Sequence, residues 1–240
     1  MRLVQFHPSY AYEDFVEGYR PSLDKGQPRF DLAEGPLKEL GRAAASDPEH
    51  QYVLVIDEIN RGNVTKVFGE LYFLLEYREE QITLQYSKSE FALPSNLWII
   101  GTMNTADRSI ALVDAALRRR FFFIPFFPDE TPIKDLLRRW LAKHNPHLAW
   151  VADVVDEANS RLGNRHAVIG PSHFLKPDLT EEWVEVIWRH SVRPYLEEEF
   201  FGNEERLDEF ELSLLRDQVT RSRRDTSAAE TNGQSPSEAN

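Results

Sequence analysis

A chain of 240 residues has room for one large domain, or for a core domain with a smaller satellite. Its composition, 41% hydrophobic and 28% charged, is that of an ordinary globular protein, and the lack of cysteine excludes disulfides and thiolate metal sites. A net charge of −12 speaks against a free-standing nucleic-acid binder, because such proteins draw their affinity largely from neutralising phosphates.

In chain order, the first residues, Met1 to His7, form no signal peptide, and the cytoplasm is the expected location. Leu3–Phe6 predicts a short strand. Tyr52–Ile56 and Leu97–Met103 are near-continuous apolar runs, as expected of strands buried on both faces of a parallel sheet. Between them, Val64, Val67, Phe68, Leu71, Leu74 and Leu75 fall on one helical stripe, with Asn63 placed to cap its start. Gln81–Tyr86 and Glu90–Leu93 flank a polar turn at Ser87–Ser89 and predict a hairpin. Ser109–Arg120 predicts a further helix, with Ile110, Val113 and Leu117 on one side, and Phe121–Phe126 a fourth strand. That last run is too short to span a membrane and contains Pro125.

Pro128 to Pro132 marks a linker. Beyond it helices are expected at Ile133–His144, Leu148–Leu162, Glu181–His190 and Val192–Phe201, with a loop over Asn159–Ser172. From about Thr220 the sequence holds almost nothing apolar, and a disordered tail is expected. The expected domains are thus an α/β core over 1–128, a small helical domain over 129–219 and a tail over 220–240.

The chemistry concentrates at two strand ends. Tyr52-Val53-Leu54-Val55-Ile56 runs into Asp57 and Glu58, and a buried strand ending in adjacent carboxylates is costly unless they have a task. Ligands of open α/β sheets bind at the C-terminal ends of strands. This is the pattern of a Walker B motif, in which the first acid holds a Mg²⁺ shell through water and the second orients the attacking water. A surface Asp-Glu pair opening a loop fits the same letters. Leu97-Trp98-Ile99-Ile100-Gly101-Thr102-Met103 runs in the same way into Asn104, a neutral amide suited to holding a water or the γ-phosphate, the sensor 1 role; a turn also favours asparagine. Arg118, Arg119 and Arg120 close the following helix, where cations suit the helix dipole. They fan out over roughly 300°, so they cannot share one role. Arg118 and Arg119 are the candidates for reaching a neighbouring subunit's nucleotide and stabilising charge on the transferred phosphoryl group, with Arg120 left to pack or pair locally.

Taken together, Asp57-Glu58-Ile59-Asn60-Arg61-Gly62-Asn63, Phe68-Gly69-Glu70, Gly101-Thr102-Met103-Asn104-Thr105-Ala106-Asp107-Arg108-Ser109 and Leu117-Arg118-Arg119-Arg120-Phe121 closely resemble McrB-type AAA+ GTPases. Val4 to Phe15 with Gly18–Pro21 resembles the segment after the phosphate-loop helix of that family, and Ile169–Phe174 a stretch of its helical lid. The resemblance covers roughly residues 3 to 205. It implies a partial AAA+ core followed by a lid, assembly into a ring, Mg²⁺ with GTP or ATP as cofactors, and an McrC-like nuclease as partner. It also implies contact with DNA only through the assembly, in a modification-dependent restriction system. By the same resemblance Asp57 serves Mg²⁺, Glu58 acts as base, Asn104 senses the γ-phosphate, and Asp107 and Arg108 help to position the nucleotide site.

One family element is missing from the letters. No Gly-x-x-x-x-Gly-Lys-Ser/Thr occurs, and no glycine is followed by lysine. In the family the strand before that loop is central, between those matching Leu97–Met103 and Phe121–Phe126, so the sheet is expected to show a gap or two strands collapsed together. Three readings follow. The chain is a motor fragment from a truncated, mis-started or split gene, inactive without a phosphate loop; or it is a non-hydrolysing module that joins such a ring or binds its nuclease; or it is a MoxR-like or dynein-related remodelling ATPase.

Overall fold

The computed structural model describes residues 1–104 and 115–232, in two compact units, Met1–Phe123 and Ile124–Asn240. The first unit opens with β1 (Arg2–Gln5) and a single-turn helix α1 (Tyr12–Phe15). An antiparallel pair follows, β2 (Glu17–Asp24) with β3 (Gln27–Glu34), and then α2 (Pro36–Ser46) and β4 (Tyr52–Asp57). Two short helices, α3 (Val64–Phe68) and α4 (Leu71–Leu74), lead to the small hairpin β5 (Ile82–Thr83) with β6 (Glu90–Phe91). The unit continues with β7 (Leu97–Gly101) and α5 (Ala115–Arg120).

The sheet is parallel in the order β1-β4-β7, with Leu3 opposite Val55 and Val55 opposite Ile100. Both crossovers, β1 to β4 and β4 to β7, step in one direction, and right-handed crossovers then lie on one face. The core agrees: Phe15, Leu37 and Ala44 before β4, and Val67, Phe68, Leu71 and Leu74 after it, bury one cluster with Leu54, Ile56 and Leu97. Asn96 locks the connection between α2 and the sheet. Its buried amide donates to the Ala44, Asp47 and His50 carbonyls at 2.8–3.0 Å.

Several expectations need adjusting. The helix foreseen over 64–75 is broken in two at Gly69, whose φ of 52° and ψ of −131° suit only glycine. Asn63 does cap α3, accepting from the Lys66 amide at 3.0 Å. Gln81–Leu93 does form a hairpin, reversed through Lys88 in the left-handed region, although each strand is only two residues long. Phe121–Phe126 is not a strand. A strand needs a neighbour to bond, and among the described residues nothing pairs with the side of β7 that faces away from β4. The long β2–β3 pair was not legible: its apolar residues alternate, but Pro21 and Pro28 interrupt the two runs, and proline argues against a strand. Its two-residue turn, Lys25-Gly26, has both residues at positive φ.

The second unit is helical: α6 (Leu136–His144), α7 (Trp150–Leu162), α8 (Glu181–Ile187), α9 (Arg193–Glu199), α10 (Glu204–Asp208) and α11 (Leu212–Asn232). Between α8 and α9 the chain makes one wide π turn, Trp188–Val192. Pro194 has no N–H to return to the preceding turn, which accounts for the widening. Val151, Val154, Val155 and Ala158 of α7 meet Phe174, Val184, Trp188, Leu196 and Leu215 in a separate core. α11 is helical as far as Asn232, whereas the sequence led us to expect disorder from Thr220. Its arginines, alanines and glutamate favour a helix even without an apolar stripe.

Candidate active site

Asp57 ends β4, and Thr102 and Asn104 follow the end of the adjacent parallel strand β7, so all three lie at the same C-terminal sheet edge. The Thr102 amide donates to the Ile56 carbonyl at 2.9 Å, and the Ile59 amide donates back to the Thr102 carbonyl at 2.9 Å. These two bonds clamp the loop after β4 to the tail of β7. Side chains reinforce the clamp: Thr102 Oγ1 donates to Asp57 Oδ1 at 2.5 Å, and Gln5 Nε2, from the end of β1, donates to Asp57 Oδ2 at 3.2 Å. Asn60 Nδ2 donates to the Asn104 carbonyl at 3.4 Å.

Glu58 sits in the left-handed region, at φ 54° and ψ 44°, a conformation that costs a residue with a Cβ about 1 kcal/mol or more. Strain of this kind collects where a side chain must be aimed. Among the described residues its buried Oε2 accepts no hydrogen bond, although Arg61 Nε approaches to 3.0 Å as an ion-pair partner. Asn60 Oδ1 is likewise buried without a hydrogen-bond partner among the described residues. Two buried oxygens that accept no hydrogen bond among the described residues, one of them ion-paired with Arg61, lie beside a carboxylate held at both oxygens and make a polar pocket suited to a donor such as water.

The arginines separate. Arg120 pairs with Glu76 at 2.8 Å and lies over the Tyr72 ring at 4.4 Å, which ties it to the region of α4. Arg118 lies 6.0 Å from the Phe123 ring centroid, and Arg119 is exposed. Asp107 and Arg108 lie outside the described residues. Thr102, Gln5 and Arg61 were not singled out from the sequence for these contacts. The register would have found Gln5, since it stands opposite Asp57 in the parallel pairing.

One carboxylate cannot hold Mg²⁺ by itself, and among the described residues no group of three His, Asp or Glu could form a metal cage. Mg²⁺ commonly binds through one or two carboxylates together with phosphate oxygens and water. Asp57 fits that arrangement, its oxygens fixed by Thr102 and Gln5, provided phosphates supply the remaining ligands.

The family model for AAA domains of the dynein-related subfamily matches residues 1–121, and the model for the McrB α-helical lid domain matches residues 151–208. The chain is 35% identical to the EcoKMcrB subunit of the type IV methyl-directed restriction enzyme of Escherichia coli, over 90% of this chain and 50% of that one. It therefore spans half the length of that relative. It is 26% identical to component YdiS of the type II restriction enzyme BsuMI of Bacillus subtilis, over 85% of this chain and 71% of that one. A solved structure from Cytophaga hutchinsonii, described only as a candidate ATPase, overlays with a TM-score of 0.36 at 14% identity, over 78% of this chain and 67% of that chain. A parallel α/β sheet with paired acids at its C-terminal edge, followed by a helical lid that matches its own family model, places this chain in the McrB-like branch of the AAA+ family.

Proposed function

We propose that this chain is the Walker B-to-lid part of a nucleoside-triphosphate-driven motor in a modification-dependent restriction system. The observation that carries this reading is the clamp that brings Asp57, Glu58 and Asn104 to one sheet edge. In this reading Asp57 holds the water shell of Mg²⁺, which would neutralise phosphate charge. Glu58, pre-aimed by its left-handed backbone, accepts a proton from the attacking water through its undersatisfied oxygen. Asn104 holds the γ-phosphate or the water without adding charge. Arg118 and Arg119 project toward a neighbouring protomer's nucleotide in a ring, and Asp107 and Arg108 help to position the site. The nucleotide is GTP or ATP, the partner an McrC-like nuclease, and DNA contact passes through the assembly in the cytoplasm.

No glycine in the chain precedes a lysine, so the phosphate-cradling loop must come from elsewhere. We expect the isolated chain to give no binding heat with GTP or ATP plus Mg²⁺ in isothermal titration. In a protein completed with that loop, Glu58→Gln should lower turnover by at least a hundredfold while nucleotide binding stays within about threefold. Turnover near the parent rate would remove Glu58 from the role of base. The same lack of a loop favours one other reading, a non-hydrolysing module of such a ring. Under that reading the chain would co-purify with the nuclease while the completed protein still binds no nucleotide.

A further inference from the structure

Two apolar faces of the first unit lie open to water. One is the side of the parallel sheet opposite Leu54, Ile56 and Leu97, where Leu3, Trp98 and Ile100 are exposed. The other belongs to the β2–β3 ribbon. Side chains alternate along a strand, and the pairing sets Tyr19 opposite Leu32, Pro21 opposite Phe30 and Leu23 opposite Pro28, all six on one face. The charged residues take the other face, where Arg29 pairs with Asp24 at 3.2 Å and with Asp31 at 2.7 Å. Every residue from Tyr19 to Phe30 is exposed or half-exposed, with Tyr19 at 54%, Leu23 at 75% and Phe30 at 71%.

A two-stranded ribbon is marginally stable in water unless one face is covered. Its edges are not built for a partner strand. Pro21 and Pro28 have no N–H to give, so theirs are the pairs without hydrogen bonds, whose free donors would point outward, and each proline blanks one outward position. Proline on an edge discourages an added strand, and contact is left to the apolar face. The same pairing draws the facing side chains of that face close together. None of its six residues is charged. The ribbon from Glu17 to Glu34 holds three cations and four acids, in a chain of net charge −12. Copies can therefore meet here with little of the repulsion that the chain as a whole imposes.

The footprint sets the strength of such a contact. Strands of eight residues, two abreast, give a face of roughly 250 Å² before side-chain relief is added. That is well short of the roughly 800 Å² per partner of a stable interface. A second copy offers a face of the same size with the same lack of charge. Packed sheet on sheet, the two would shield each other's rings in a contact that uses one patch twice. We infer that the apolar face of β2–β3 is a weak contact between copies of this chain, in which Tyr19, Pro21 and Phe30 of one pack on the same residues of the other. Pro21–Phe30, the middle of the three apolar pairs, lies at the two-fold axis. The inference goes beyond the proposed function and holds whether or not the chain serves nucleotide hydrolysis.

The chain has no cysteine, so single cysteines report the contact cleanly. Pro21→Cys lies on the apolar face, and Ser22→Cys lies beside it on the opposite face. A bismaleimide of about 10 Å reach suits sheets packed about 10 Å apart. With the full chain at neutral pH and high concentration, Pro21→Cys should be linked into dimers at least tenfold faster than Ser22→Cys. Sedimentation of the parent chain should show a dimer that grows with concentration. Phe30→Asp should weaken that dimer at least tenfold with an unchanged far-ultraviolet spectrum, whereas Ile100→Lys should leave it as it is. Three results would overturn the inference: a parent chain that stays monomeric at every concentration, equal linking of the two cysteines, or a dimer that survives Phe30→Asp. A dimer lost in Ile100→Lys but kept in Phe30→Asp would belong to the open side of the parallel sheet.

Discussion

At the scale of single residues, Glu17 organises as much of the first unit as any core side chain. It is fully buried, its Oε2 accepts from Lys38 Nζ at 2.6 Å, and its Oε1 accepts from the Tyr86 and Ser87 amides at 3.1 and 2.8 Å. One carboxylate thus joins β2, α2 and the turn of the β5–β6 hairpin. Burial alone would push the carboxyl up, but the Lys38 ammonium and the Ser87 groups outweigh it and hold it below the usual carboxylate range. A group depressed on folding stabilises fully above its unfolded value, and that contribution fades as pH falls through the folded value. Glu17→Gln should therefore cost about 3 kcal/mol in urea unfolding at pH 7, since it leaves a buried ammonium with the more distant Glu34, at 3.5 Å, as its remaining ion-pair partner among the described residues. The gap between variant and parent should narrow below the ordinary carboxylate value. An equal gap at pH 7 and at pH 3 would mean that the charge of Glu17 contributes nothing.

At the scale of elements, the break between α3 and α4 makes a second test. A Cβ at Gly69 would come within 2.8 Å of Tyr12 Cδ2, in a backbone region that residues with side chains rarely adopt. Gly69→Ala should cost about 2 kcal/mol, read as a lowered urea midpoint with an unchanged slope. The same elements show what could be read in advance. The apolar runs of β4 and β7 announced themselves by their continuity, although only one face of the sheet is covered in this structure, and Asp57, Glu58 and Asn104 stood out as polar residues that end those runs. The β2–β3 pair stayed hidden because Pro21 and Pro28 break runs that otherwise alternate. Phe121–Phe126 looked like a strand by composition but has no strand neighbour among the described residues. Thr102 and Gln5 escaped notice because their importance lies in register, which only the paired strands reveal.

At the scale of the whole molecule, two independent cores, one beneath the parallel sheet and one around α7, fit a chain that matches two separate family models. The uncovered sheet face also bears on how the molecule behaves in bulk solution. At neutral pH a charge of −12 keeps copies apart by mutual repulsion, which offsets the stickiness of Leu3, Trp98 and Ile100. Near the isoelectric point of about 5.1 that repulsion vanishes. Light scattering should then rise steeply as pH approaches 5, and it should rise less for Ile100→Lys than for a lysine placed on the exposed side of α7. Colloidal stability in this chain is thus electrostatic, and it lasts only while the apolar face is outvoted by charge.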